Sequence, residues 1–468
     1  MSRKQLTGLV LAGLLFAAII LLPGIKNLDV SGQRCLALFV AVFVLYIFES
    51  LPASVISIAI VPLLVVLRIT DVGAALSGFS STSTYLVIGS FILAAGMVKS
   101  GLGRRITCFV LMRVGTEPIR LSFGLMLVNI IMAFMIPSST ARTVMLLPIC
   151  ISIIEQFKGE SKAKVRYAIN ILLTLCITSS TISAGILTST ISNPMAVDYI
   201  QSATGQLITF GQWFVWGFPP ALLMTVVSWL IIQLIFRVDK VENENGREYL
   251  EAEIQKMGKI KRAEVITAAA IAFSVLLWIF GSGFGIDSTS VALLGAVMLF
   301  IPKLSVLEWE DCQKNVYLSV VFIISGGISL GAAMAKTGAS AWLADQVFGF
   351  ISSDMGLLAV VIIVIVIVQF MHAFFVGTAT MANAFFPILI SVAAKVNVNA
   401  ACIIMPAAFM IGGYPVLFFF NTTPNILCYD AGYIKAVDFL KIGIPISVAA
   451  CLVYSLCAYL YWPMSGLL

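Results

Sequence analysis

The sequence predicts an all-α polytopic membrane protein made of two halves of one repeat. Three observations carry this. The 468 residues are 60% hydrophobic and only 11% charged, more apolar surface than a soluble domain of that length can hide. Mean hydropathy is +1.06, and apolar segments able to cross about 30 Å of hydrocarbon recur from end to end. The polar interruptions inside those segments come in pairs, one from each half of the chain.

Taken in order, MSRKQ and the apolar run 6–22 read as a retained first transmembrane helix, because no small-residue cleavage site follows. Further spans are expected at 35–50, 52–68, 119–136, 143–157, 166–187, 211–236, 263–281, 288–302, 317–335, 357–376, 398–419 and 440–461. The Ser-, Gly- and Thr-rich stretch 81–115, which turns basic at GLGRRI, reads as a re-entrant hairpin. The longest polar run, RVDKVENENGREYLEAEIQKMGKIKR at 237–262, reads as a solvated, partly helical connector between 1–236 and 263–468. Lys158, Lys162, Lys164 and Arg166 crowd one short loop that should face the cytoplasm, and Lys99, Arg104 and Arg105 mark another such edge.

The repeat is visible in three ordered matches. LAAGMVKSG (93–101) pairs with LGAAMAKTG (330–338), 237 positions on. MIPSSTARTVMLLPI (135–149) pairs with FFVGTATMANAFFPI (374–388) at 239; a one-residue shift would instead align Thr140 with Thr378. TSTISNP (188–194) pairs with NTTPN (421–425), so that Thr190 and Asn193 meet Thr422 and Asn425.

Irregular backbone survives in a bilayer only when protein or a wet cavity covers it. Paired breaks at equivalent places in two halves are therefore a pointer to a transporter binding site. The chemistry suits an anion, since half-helix N-termini offer N–H groups and partial positive charge to a carboxylate. Unwound carbonyls and hydroxyls suit a hard cation such as sodium. Arg142, costly in hydrocarbon, either clamps a substrate carboxylate with its planar fork, snorkels, or pairs with Glu49.

Other classes fit poorly. His372 is the only histidine, which excludes histidine metal sites and catalytic triads, and no paired-aspartate, HExxH or ATP-binding loop motif occurs, so no enzyme or ATP-driven pump is expected. The nine cysteines are scattered through apolar runs and read as small buried residues. No basic cluster points to nucleic acid. Glu49 is the one acid read inside an apolar stretch, which leaves proton coupling weakly supported.

At these breaks the chain resembles the divalent anion/sodium symporter (DASS) family, which carries dicarboxylates, citrate and sulfate. That family has a Ser-Asn-Thr loop in each half, followed by a Thr-Pro-Pro-Asn-like loop. SSTARTVMLLPI and VGTATMANAFFPI occupy the first positions here, and TSTISNP and NTTPN the second. FILAAGMVKSGLGRRI looks like the family's re-entrant region, and the likeness covers essentially the whole chain.

The resemblance implies two inverted repeats with re-entrant hairpins and broken helices. It also implies a dimerising scaffold and a transport domain that moves as an elevator. Ser138, Ser139, Thr140 and Arg142 would hold one substrate carboxylate. Gly377, Thr378, Ala379 and Thr380, with Thr422 and Thr423, would approach the other. Sodium, if used, would sit among Ser138, Ser139, Ser189, Thr190, Asn193, Thr378, Asn421 and Asn425. The family asparagine is missing from both loops, replaced by Ser139 and Thr378, which weakens sodium coupling. The Thr-Ala-Arg run at 140–142 and His372 look like the family's exchanger branch. The expected function is secondary transport of succinate-, malate-, fumarate- or citrate-class anions in a bacterial inner membrane. Sodium symport is placed first and counter-exchange of a second carboxylate is the alternative. An inorganic-anion carrier or channel stands behind both.

Overall fold

The computed structural model describes residues 3–136, 138–157, 161–238, 244–352 and 354–468. Pro137, Lys158 of the basic loop and residues 239–243 of the polar connector lie outside them. The described residues form helices and no strand, and eleven helices are long and apolar enough to cross a membrane.

Helices of eight residues or more are numbered in chain order. The first part holds α1 (Arg3–Leu21), α2 (Val30–Phe48), α3 (Ala53–Val66), α4 (Thr82–Ser100) and α5 (Leu102–Val114). It continues with α6 (Pro118–Met135), α7 (Ser139–Glu155), α8 (Ser161–Ser183), α9 (Ser192–Thr204) and α10 (Phe210–Ile235). The connector folds as α11 (Glu244–Met257). Then follow α12 (Arg262–Phe280), α13 (Ser288–Met298), α14 (Leu318–Lys336), α15 (Ala339–Val347) and α16 (Leu357–Met371). The chain closes with α17 (Thr378–Lys395), α18 (Ala400–Gly413), α19 (Thr423–Asp430) and α20 (Ala436–Leu456). From α2 to α10 and from α12 to α20 the same succession runs. A helix pair is followed by a hairpin, a helix that breaks and restarts, a buried helix leading to a half-helix, and a closing span.

Local chemistry sets the breaks. Gly101 ends α4 at φ +81° and Gly338 follows α14 at φ +71°. Both are the last glycine of the LAAGMVKSG and LGAAMAKTG motifs, and both occupy left-handed backbone that a Cβ would strain. The segment 81–115 is accordingly two helices, α4 and α5, joined at that glycine. Ser138 caps α7, its hydroxyl accepting from Ala141 N at 3.3 Å, so this helix starts four residues before the expected 143. The expected span 398–419 stops at Gly413, where the chain unwinds toward Asn421. Helix α17 is absent from the expected spans. Its hydropathy of 1.2 is the lowest of the eleven, because polar residues fill its first turns.

Exposure sorts the helices. Leu6, Val10 and Leu14 on α1, and Ile444, Val448, Leu452 and Leu456 on α20, point outward at four-residue spacing, as lipid-facing stripes do. Residues 167–190, which include α8 from Tyr167 onward, are buried without a gap, and so is nearly all of α18. Small residues bring the helices close: a Cβ on Gly326 of α14 would stand 2.3 Å from Ser57 O on α3. Thr84 on α4 and Ser325 on α14 meet at 3.2 Å, and Tyr199 on α9 donates to Gly327 O at 2.9 Å. Helices α4 and α14 are thus pinned together beside the half-helix α9.

Candidate functional site

The broken helices converge on one cavity of about 840 Å³, within the range of small-molecule sites. The first turn of α7 contributes Ser138, Ser139 and Thr140. The first turn of α17 faces them with Gly377, Thr378, Ala379 and Thr380. Thr190 and Thr422 come from the unwound segments before α9 and α19, and Thr423 opens α19. First-turn N–H groups of a helix have no intrahelical acceptor, so α7 and α17 aim donors and positive dipole ends at this space.

The two starts correspond closely. Ser138 and Gly377 are the N-caps of α7 and α17, and Pro148 and Pro387 stand inside those helices, each pair 239 positions apart. The helix starts therefore follow the proline register rather than the shifted one. Gly377 has φ +92°, which only glycine adopts cheaply, whereas Ser138 is extended at φ −149°. Thr190 and Thr422 have nearly the same backbone, φ −147°, ψ 155° and φ −145°, ψ 156°.

Arg142 does not line the cavity. It is 0% exposed, behind the first turn of α7. Nη1 donates to Ile136 O at 2.7 Å and Ser189 Oγ at 2.8 Å; Nη2 donates to Ser179 O at 2.8 Å and to Ser183 Oγ. Its fork holds the broken ends of α6 and α8 together, and no carboxylate touches it among the described residues. Neither snorkelling nor pairing with Glu49 occurs. Glu49 caps α2, is half-exposed, and pairs with Lys4 at 3.1 Å. Four carboxylates are buried among the described residues, Asp198, Glu253, Glu264 and Asp438. Asp198 on α9, 5% exposed, accepts from Thr82 Oγ1 at 2.9 Å and from the first-turn Ser83 N of α4 at 3.2 Å. Sequence reading missed it because it lies in a short half-helix beside polar residues rather than in an apolar run.

The predicted asparagines sit behind the cavity wall as donors to unwound carbonyls. Asn193 Nδ2 donates to Ser183 O and Ile186 O at 2.9 and 3.0 Å. Asn425 Nδ2 does the same to Pro415 O and Phe418 O at 3.0 and 3.2 Å. Asn421 Nδ2 reaches His372 O and Phe375 O at 2.6 and 3.1 Å, and His372 Nε2 donates to Met410 O at 3.1 Å. Ser189 is taken up by Arg142. The Oδ1 atoms of Asn193 and Asn425 are buried and accept no hydrogen bond among the described residues. The described residues hold no cluster of three or more His, Cys, Asp or Glu suited to a metal ion.

A many-spanned helical protein whose broken helices surround one polar-floored cavity is an integral membrane transporter. Comparison with known proteins gives the family. The profile described as "Sodium:sulfate symporter transmembrane region" matches residues 3–468, and the chain belongs to that family. The chain is 25% identical to the citrate/succinate antiporter of Escherichia coli (strain K12), over 98% of this chain and 97% of the relative. It is 24% identical to the sodium-dependent dicarboxylate transporter SdcS of Staphylococcus saprophyticus, over 98% and 92%. The crystal structure of the Alcanivorax borkumensis YdaH transporter aligns over 99% of both chains, with 13% identity and a TM-score of 0.49.

Proposed function

We propose that this protein exchanges dicarboxylate or tricarboxylate anions across a bacterial inner membrane, one carboxylate moving against another without sodium. The relatives divide between antiport and sodium dependence, so the choice rests on the site. The observation that carries it is the fate of the unwound carbonyls. Ile136 O receives Arg142, Phe375 O and His372 O receive Asn421, and the carbonyls near 186 and 418 receive Asn193 and Asn425. An N–H placed at a carbonyl points positive charge where a sodium ion would sit, and Arg142 adds a full buried charge behind α7. The protein itself supplies the cation that balances a carboxylate at the helix starts.

In this reading one carboxylate rests on Ser138, Ser139 and Thr140, and the other on Gly377, Thr378, Ala379 and Thr380, with Thr422 and Thr423 closing the floor. Arg142 is a positioning residue. The matching order of helices in 1–236 and 263–468 supports two inverted repeats. An elevator movement and a homodimer are part of the same reading, carried by the resemblance alone. A second reading, sodium symport, is favoured by the two unpartnered oxygens, Asn193 Oδ1 and Asn425 Oδ1, which are hard ligands of the kind sodium takes.

The test of substrate class is uptake of labelled succinate, malate, citrate, sulfate and acetate into proteoliposomes preloaded with succinate. Uptake of the first three and not of acetate supports two carboxylate-binding helix starts. Uptake of sulfate alone overturns the carboxylate assignment.

A further inference from the structure

The cavity has one charged side chain on its wall among the described residues, and it is not Arg142. It is Arg104, in the first turn of α5. The place follows from the sequence: Gly101 turns the chain, and Gly103 lies so close to α7 that a Cβ there would stand 2.5 Å from Met145 Sδ. Met145 is six residues, about 9 Å, along α7 from Ser139. Arg104 therefore stands at the mouth of the cavity, beside the track to the helix starts.

Arg104 also lines a second cavity of about 310 Å³, between α5, the end of α11 and the start of α12. Four cations, Arg104, Arg105, Lys256 and Lys261, share that space with two carboxylates, Glu253 and Glu264. The two arginines differ in kind. Arg105 is committed: Nε donates to Glu264 at 2.7 Å and Nη1 to Gly258 O at 3.0 Å, while Nη2 reaches Met257 O and Lys259 O at 3.3 Å. It fixes the turn between α11 and α12. Arg104 is 51% exposed along its side chain and donates to one partner, the carboxylate of Glu253. Glu253 is only 8% exposed and keeps a second cation, Lys256, at 3.1 Å. Freed from Arg104, its charge stays balanced.

We propose that Arg104 is a vestibule site for a carboxylate of the transported anion, and that Glu253 is an internal carboxylate occupying the site between ligands. This rests on the carboxylate reading of the cavity. The excess positive charge around the mouth draws anions in. The guanidinium fork matches a carboxylate, so the ligand displaces Glu253 like for like and then passes inward to Ser138–Thr140. Glu253 falls back on Lys256. On release the order reverses, and Glu253 competes the product off Arg104.

The experiment is initial uptake of labelled succinate into succinate-preloaded proteoliposomes, over a range of concentration and ionic strength. Wild type is compared with Arg104→Ala, Arg104→Lys and Glu253→Gln. Arg104→Ala should raise KM about tenfold with Vmax nearly kept, and flatten the rise of KM with salt. Arg104→Lys should fall between, because it keeps the charge and loses the fork. Glu253→Gln should lower KM about threefold, a gain that a damaged fold does not produce. Unchanged KM in Arg104→Ala, or a rise of KM in Glu253→Gln, overturns the vestibule site while wild-type uptake leaves the cavity reading intact. Wild-type vesicles that take up no carboxylate overturn both.

Discussion

Asn193 and Asn425 make the same two hydrogen bonds from matching places in the chain. Each side-chain amide donates to the carbonyls ten and seven residues before it, Ser183 and Ile186 for one, Pro415 and Phe418 for the other. The four distances lie between 2.9 and 3.2 Å. Each asparagine thus closes an unwound loop that would otherwise bury open carbonyls. Asn193→Ala and Asn425→Ala should each lower stability by about 1–3 kcal/mol. Thermal unfolding in detergent checks this, and equal melting of either variant and wild type would mean that the loops close by other contacts.

Arg142→Lys separates positioning from substrate contact. An ammonium has no planar fork and cannot reach Ile136 O, Ser179 O, Ser183 Oγ and Ser189 Oγ together. The expected outcome is a stability loss of about 1.5–3 kcal/mol with a fall in Vmax, and Arg142→Ala should lose more. A stable Arg142→Lys protein with only KM raised would instead place the guanidinium on the ligand.

The two helix starts should respond unequally. Gly377→Ala forces a Cβ onto backbone at φ +92° and ψ 138°, a strain of about 1–3 kcal/mol. Ser138→Gly loses one cap hydrogen bond and should cost a few tenths of a kcal/mol in stability. Uptake assays should show Gly377→Ala nearly inactive and Ser138→Gly folded, with weakened carboxylate affinity. Normal uptake by Gly377→Ala would count against the role of the α17 start.

Asp198 ties the half-helix α9 to the start of α4 through Thr82 and Ser83. Asp198→Ala removes both hydrogen bonds and should cost about 1–3 kcal/mol, while Asp198→Asn keeps an acceptor oxygen and should cost less. Circular dichroism melts of both variants test the order. If the two variants lose equally, the charge matters more than the acceptor oxygen.

The spans were legible wherever apolar runs were long, and the paired breaks marked the cavity because both halves interrupt at Ser138–Thr140 and Gly377–Thr380. The glycines of the first repeat motif also marked where both hairpins turn. Three things could not be read. Helix α17 hides behind its own polar first turn, which is needed at the cavity and lowers its hydropathy. The partners of Arg142 are carbonyls and serines distant in sequence, and a backbone carbonyl leaves no trace in residue identity. Asp198 accepts from the start of a helix more than a hundred residues away, so nothing local distinguishes it from a surface aspartate.

In the proposed exchange, protein N–H groups and the Arg142 charge take the place of a coupling cation. The most direct measurement is labelled succinate uptake in four vesicle sets, preloaded with succinate or empty, each with sodium or with N-methylglucamine in its place. Exchange without sodium gives equal uptake in both preloaded sets and almost none in either empty set. Uptake into empty vesicles that requires an inward sodium gradient would contradict it, and would assign sodium to Asn193 Oδ1 and Asn425 Oδ1.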